Sequence, residues 1–160
     1  MDTKINLDKH DIEVLRLLQD NCRLSAREIA KKTGILTTTV YAKIRRMEEL
    51  GVIKKYNAVL DGKKLGKKET AFLLISFSYR SSGEKILSQR EIANKIAAFP
   101  ETQEVHIITG EWDILVKVRA KSVEDVGIFI VDKLRKIAGV DKVITSMVFA
   151  TEKEDLKIDI

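Results

Sequence analysis

Residues 25–55 read SAREIAKKTGILTTTVYAKIRRMEELGVIKK, and the fold follows from this stretch. Ser25 and Glu28 have the spacing of a capping box, in which the hydroxyl takes an orphan amide while the carboxylate reaches back to the cap. Ile29 and Ala30 supply a narrow apolar face, and Gly34 stands where a helix needs a left-handed closing residue. After Ile35-Leu36 a second helix starts near Thr37, with Val40, Ile44 and Met47 at i, i+4 and i+7. Its opposite face carries Thr38, Thr39, Tyr41, Lys43, Arg45 and Arg46, with no acid before Glu48. A short helix, a glycine turn and a basic, hydroxyl-rich second helix form the pattern of a helix-turn-helix, whose second helix enters a DNA major groove. Gly51-Val-Ile-Lys-Lys-Tyr56 then starts a strand placed to be a wing.

The charge distribution agrees with that reading. The chain has 160 residues, 44% hydrophobic, and a formal net charge of +5. Residues 1–68 hold 16 Lys/Arg against 9 Asp/Glu, a net +7, whereas residues 69–160 hold 13 against 15, a net −2. The basic half is the half with the helix-turn-helix, as phosphate neutralisation requires. A lysine-rich solvated surface would give the same asymmetry. The one cysteine, Cys22, excludes an intramolecular disulfide and a cysteine-based metal site. Two histidines, His10 and His106, lie too far apart in sequence to suggest a metal. A charged N-terminus argues against a signal peptide, and no apolar run reaches the length of a membrane span, so the cytoplasm is the expected compartment.

Outward from the helix-turn-helix, Asp8 caps a first helix with Ile12, Leu15 and Leu18 on one face, the first of three helices. Asn57 to Lys68 (NAVLDGKKLGKK) holds the end of the wing and then the interdomain linker. Beyond it the period changes. Ala71 to Tyr79 is a strand with Leu73, Ile75, Phe77 and Tyr79 on one face. Ser88 and Glu91 open a helix with Ile92, Ile96 and Phe99 that stops at Pro100. Glu104 to Thr109 and Ile114 to Ala120 are strands joined by a tight turn, Gly110-Glu-Trp-Asp113. Ser122 and Asp125 cap a longer helix lined by Val123, Val126, Ile130, Leu134 and Ile137 and ending at Gly139. Lys142 to Thr151 is a last strand, followed by a polar tail. The order βαββαβ is the split βαβ arrangement of a ferredoxin-like domain. The expected fold is therefore α+β: a winged helix-turn-helix over residues 1–61, a linker over 62–68, a ferredoxin-like domain over 69–151 and a tail over 152–160. Helices cover only one face of the sheet. The other, carrying Leu73 and Ile75 or their neighbours with Met147 and Phe149 or theirs, needs a cover, for which a second subunit is the simplest choice.

With these residues in place the chain resembles the Lrp/AsnC family of bacterial and archaeal transcription regulators. The likeness rests on Leu7-Asp8, Leu24-Ser25, Glu28-Ile-Ala30, Thr39-Val40, Ile44, Gly51-Val-Ile53 and Leu60-Asp61 in the first half. In the second it rests on Val105-His106, Thr109-Gly110-Glu-Trp-Asp113, Val116-Lys-Val118, Gly139-Val140 and Thr145. The resemblance implies a DNA-binding module followed by a ligand-sensing module, pairing through the sheets of the latter and further assembly into octamers. It also implies a small amino-acid effector held between dimers near the turn after the second strand. Three departures stand out: Lys43 where the family uses arginine, Trp112 in place of a tyrosine or phenylalanine, and a longer loop from Ser81 to Leu87.

The candidate DNA contacts are Arg27, Thr37, Thr38, Thr39, Tyr41, Lys43, Arg45, Arg46, Lys54 and Lys55. Thr37 is either a groove contact or only a helix cap, and Thr39 either a contact or only a helix-start residue. Arg45 and Arg46 touch bases or phosphates, with backbone contact the plainer expectation. Arg27, Lys54 and Lys55 are phosphate candidates that a solvated surface would equally explain. The candidate effector residues are Thr109, Gly110, Glu111, Trp112 and Asp113, with Thr145 and Ser146 of the last strand. Turn amides and a threonine hydroxyl suit a carboxylate, while Asp113 suits an ammonium or else caps backbone amides. His106 reads as an interface packing residue. No nucleophile–base pair, metal-ligand spacing or phosphate-binding glycine loop appears (residues 81–85 have one glycine), so neither a catalytic nor a metal site is expected. The expected partners are operator DNA, an amino acid and copies of the chain itself, with no membrane and no cofactor beyond that effector. An amino-acid-sensing protein whose helix-turn-helix has lost DNA binding is the alternative.

Overall fold

The computed structural model describes residues 5–78 and 87–160. Expectations for Tyr79 and for most of the 81–87 loop fall on residues 79–86, outside the described ones. Contacts divide the chain into two units, Met1–Val59 with Lys153–Ile160, and Leu60–Glu152.

The first unit is three helices: α1 (Lys9–Asp20), α2 (Ala26–Thr33) and α3 (Thr37–Glu49). Two complete capping boxes start α1 and α2, Asp8 with Asp11 and Ser25 with Glu28. Gly34 ends α2 at φ 75°, the left-handed conformation that turns the chain into α3. The amphipathic stripes meet in a core of Val14, Leu15, Leu18, Ile29, Val40 and Met47, with Leu7, Leu24, Ile35 and Ile44 at its margin.

The wing keeps its place after α3 but not its expected strand. No strand forms over residues 51–60 among the described residues. Val52 and Ile53 pack against the helical core, and the Ile53 amide donates to the Met47 carbonyl at 3.1 Å. Lys54 onward is exposed and irregular. A strand exists only by its ladder, and residues 51–60 pair with no strand among the described residues.

The tail is more than a polar appendage. Gln19 of α1 exchanges two hydrogen bonds with the Ile158 backbone, donating to its carbonyl at 3.0 Å and accepting from its amide at 2.7 Å. Arg16 donates to the Ile160 carbonyl at 2.6 Å, and Lys157 pairs with Asp20 at 2.9 Å. The Ile160 side chain packs against the helical core.

The second unit is an antiparallel sheet in the order β2-β3-β1-β4, built from β1 (Glu69–Phe77), β2 (Thr102–Ile107), β3 (Ile114–Ala120) and β4 (Val140–Met147). Helices α4 (Gln89–Ala97) and α5 (Val123–Ile128) complete βαββαβ. Alternate residues Ala71, Leu73, Ile75 and Phe77 of β1 are buried with Ile92 and Ile96 of α4 and with Val126, Phe129 and Leu134. Their neighbours Phe72 and Leu74 therefore lie on the other face, with Leu115 and Ile144 in register beside Leu74.

Three elements differ from expectation, the first being β2, which spans Thr102–Ile107, two residues earlier than expected. α5 is short and gives way to a π turn (Phe129–Lys133) and a 3₁₀ turn (Leu134–Lys136). Val126, Ile130 and Leu134 of the expected stripe are nevertheless buried, Phe129 joins them at 2% exposure, and Val123 at the helix start is 60% exposed. β4 stops at Met147 because its ladder partner β1 has reached Ala71, near its own beginning, and Phe149 beyond it is fully exposed.

Candidate nucleic-acid interface and effector turn

The recognition helix α3 has an inner stripe, with Val40 and Met47 wholly buried, and an outer one. Thr37, Thr38, Thr39, Tyr41 and Arg45 are exposed, Tyr41 to 65%. With about 100° per residue, Thr38, Tyr41 and Arg45 fall on one line. Arg45 donates to Glu49 one turn on, at 2.9 Å. Arg27, Lys54 and Lys55 are exposed as well, on α2 and after α3.

Lys43 and Arg46 are engaged within the unit, although Arg46 is exposed as well. The Lys43 ammonium lies 2.5 Å from Asp8 Oδ2 and 3.0 Å from Asp11 Oδ1, and its side chain keeps 14% exposure. Arg46 donates to Asp11 Oδ2 at 3.1 Å and to the Asn6 carbonyl at 2.9 Å. Asp11 is wholly buried. The Lys43 hydrogen bond, with the Asp11 amide, holds the Asp8 carboxyl down to about 2. Burial pushes the Asp11 carboxyl up, but the Asp8 amide and Lys43 outweigh it and keep it below the usual range. Burial likewise pulls Lys43 down, and its two aspartate partners more than reverse that. Both acids and the lysine are therefore charged at neutral pH. The sequence signal for this group is the Asp8–Asp11 pair at capping-box spacing, a weaker mark than a box ending in Glu or Gln.

On the second unit, the turn between β2 and β3 reverses at Gly110, φ 129°. Asp113 Oδ2 accepts the Phe77 amide at 2.7 Å, its own amide donates to Ile75, and its carbonyl accepts from Gln89 at 3.1 Å. Of its two readings, backbone capping is the one the geometry displays. Thr109, Gly110 and Glu111 are exposed and Trp112 half-buried, with the Lys142 ammonium 5.3 Å from the indole centre. Thr145 and Ser146 are exposed on β4, but they stand opposite Leu73 and Phe72 respectively, so they point to opposite faces of the sheet. Within one chain Lys142 of β4, not among the effector residues expected from the sequence, meets the turn at Trp112. His106 is exposed beside Glu104 at 3.4 Å. A groove of 360 Å³ between α4 and β2 is lined by Arg90, Asn94 and His106 among others.

A three-helix DNA-binding unit joined to a βαββαβ unit defines a class of two-part transcription regulators. Residues 7–54 match the family described as winged helix-turn-helix DNA-binding, and residues 70–158 match the Lrp/AsnC ligand binding domain. The chain belongs to the Lrp/AsnC family, whose members are transcription regulators rather than enzymes. It is 43% identical to an uncharacterised HTH-type transcriptional regulator of Pyrococcus horikoshii, over 94% of this chain and 97% of that one. It is 34% identical to the HTH-type transcriptional regulator FL11 of the same organism, over 98% and 99% of the two chains. Among solved structures, a transcriptional regulator of Neisseria meningitidis in complex with L-Met superposes with a TM-score of 0.88, at 25% identity over 96% and 97% of the chains.

Proposed function

We propose that the protein reads operator DNA with the outer face of α3, working as a two-fold dimer whose occupancy responds to a small amino acid. The observation that carries this is the exposed row of Thr38, Tyr41 and Arg45 on a helix whose opposite stripe is fully buried. Hydroxyls and a phenol on a groove-sized helix suit base edges, while Arg27, Lys54 and Lys55 flank them as phosphate cations. Dimerisation is supported by the uncovered sheet face carrying Phe72, Leu74, Leu115 and Ile144, and further assembly to octamers by family membership. The amino-acid effector is supported by the ligand-binding family of the second unit and by the L-Met bound to the Neisseria relative. We place its contacts at Thr109, Gly110, Glu111 and Trp112 of the turn, whose exposed amides and hydroxyl suit a carboxylate, with Asp113 shaping that turn. Thr145 and Ser146 contribute from β4, on opposite faces of the sheet. Such a regulator works beside the chromosome, in the cytoplasm.

The test is binding of labelled duplexes selected from a random pool by the protein itself, against scrambled duplexes. Thr38→Ala and Tyr41→Ala should lose discrimination, whereas Lys55→Ala should weaken both duplexes alike and flatten the salt dependence by about one ion. A wild-type protein with no preference for its selected duplex would leave only the metabolite-binding alternative.

A further inference from the structure

The recognition helix holds three cations, Lys43, Arg45 and Arg46, yet two of them are bonded within the unit, Lys43 largely covered and Arg46 with its side chain 47% exposed. Lys43 bridges Asp8 and Asp11, and Arg46 spans Asp11 and the Asn6 carbonyl. Asp11 is the hub. With no solvent exposure, its Oδ2 accepts the Asp8 amide at 2.9 Å as well as Arg46, while Oδ1 accepts Lys43. Asp8 closes the ring by accepting the Asp11 amide at 2.8 Å. A buried carboxylate tolerates ionisation only while such partners stay in place. For Lys43 to reach a phosphate, it would have to leave that charge undercompensated.

The clamp's position on the helix gives it a purpose. At about 100° per residue, Lys43 and Arg46 lie on one flank of α3, between its buried stripe and its outer face. Glu48 lies on the other flank, where it accepts the Tyr56 hydroxyl at 2.8 Å. The helix is thus gripped on both sides of the stripe that packs on the core, an arrangement that opposes rolling about its own axis. Rolling by one residue's worth of angle would replace Thr38 and Tyr41 in the groove with other side chains.

Resting on the DNA-reading function above, we propose that Asp11 is a positioning residue for sequence recognition: through Lys43 and Arg46 it fixes the roll of α3. Those two cations serve the protein's own geometry and do not neutralise DNA phosphates. Arginine at position 43 would supply the same charge with a planar fork, so Lys43→Arg preserves the clamp while Lys43→Met removes it.

The test uses the full chain, with thermal midpoints measured first so that binding is read well below each variant's transition. Wild type, Asp11→Asn, Lys43→Met, Lys43→Arg and Lys54→Gln are titrated against the selected and scrambled duplexes at several salt concentrations. The expected result is a preference for the selected duplex that falls roughly tenfold in Asp11→Asn and Lys43→Met, a loss on the scale of one misread base pair. Lys43→Arg should restore it, and the salt slope of these variants should equal that of wild type. Lys54→Gln should do the reverse, keeping the preference and reducing the slope by about 0.9. A slope reduced in Lys43→Met would make Lys43 a phosphate contact and overturn the proposal. Lower midpoints with an unchanged preference would overturn it too, by reducing the clamp to fold stability. A wild type without preference would overturn both this inference and the DNA-reading function, and so is distinguishable from either.

Discussion

At the scale of single residues, Asp11 decides what two cations of α3 do, because it reaches Lys43 and Arg46 from another helix. Thr38, Tyr41 and Arg45 are read correctly from the sequence as an outer face because helical periodicity settles which residues oppose Val40 and Met47. Lys43 and Arg46 look the same as Arg45 in that pattern, and only the approach of Asp11 from another helix separates them. Asp113 shows the same limit, since a carboxylate in a turn is suited to a ligand or to the backbone until its neighbours are known. Because its Oδ2 holds the Phe77 amide at 2.7 Å, Asp113→Ala should cost stability, about 1–3 kcal/mol for an amide left without its partner. Asp113→Asn, which keeps a carbonyl acceptor, should cost less. Chemical denaturation of the two variants checks this, and equal stability to wild type would return Asp113 to a role in ligand binding. Trp112 beside it, the only tryptophan, reports on the turn. Its fluorescence should change saturably with one or a few of the twenty amino acids, and a flat titration would count against an effector at this turn.

Elements were legible where local signals and packing agree. α1 and α2 follow their caps, while α3 follows its stripe but starts after Leu36 with no side-chain cap, so Thr37 is not the cap. Val14 rather than Ile12 completes the buried stripe of α1, and β1 and β3 keep an uninterrupted alternation. The winged helix-turn-helix keeps its order, but the strand expected over residues 51–60 finds no partner among the described residues, and a strand depends on one. The long helix expected from Val123 to Gly139 changes type at Phe129, where a π turn and then a 3₁₀ turn follow, yet Val126, Ile130 and Leu134 of its apolar stripe are buried and only Val123, at its start, is exposed. The join of α1 to α3 carries a pH dependence. The Asp8 carboxyl sits at about 2 against an ordinary 3.8, and Asp11 is shifted the same way. Folded-state values below the unfolded ones mean that the contribution is complete above about pH 4 and is lost as pH falls toward 2. Thermal midpoints of the DNA-binding unit should therefore drop between pH 4 and pH 2. The drop should be smaller in Asp8→Asn, which starts from a lower midpoint at neutral pH. An identical acid response in wild type and variant would mean that Asp8 has no part in it.

On the scale of the whole molecule, two units were legible from the switch between helical and strand periods near residue 68, but the ownership of the tail was not. Residues 152–160 have too little pattern to assign by periodicity, and their partners, Arg16, Gln19 and Asp20, lie about 140 positions earlier in the chain. The chain therefore passes between its units twice, leaving the DNA-binding unit after Val59 and rejoining it at Lys153. The tail's hold combines a paired amide–backbone exchange at Gln19, two cation contacts and the packing of Ile160 against the core. Its removal should destabilise the first unit selectively. For a unit of this size each kcal/mol lost lowers the midpoint by about 4–8 °C, so deleting residues 153–160 should shift the transition of the DNA-binding unit by several degrees and leave that of the βαββαβ unit in place. Hydrogen exchange should quicken in α1 before any other helix. Gln19→Ala, which breaks the exchange without shortening the chain, should give a smaller shift of the same sign. If the deletion left both transitions and the protection of α1 unchanged, the tail would be a surface strand with no hold on the helices it lies against.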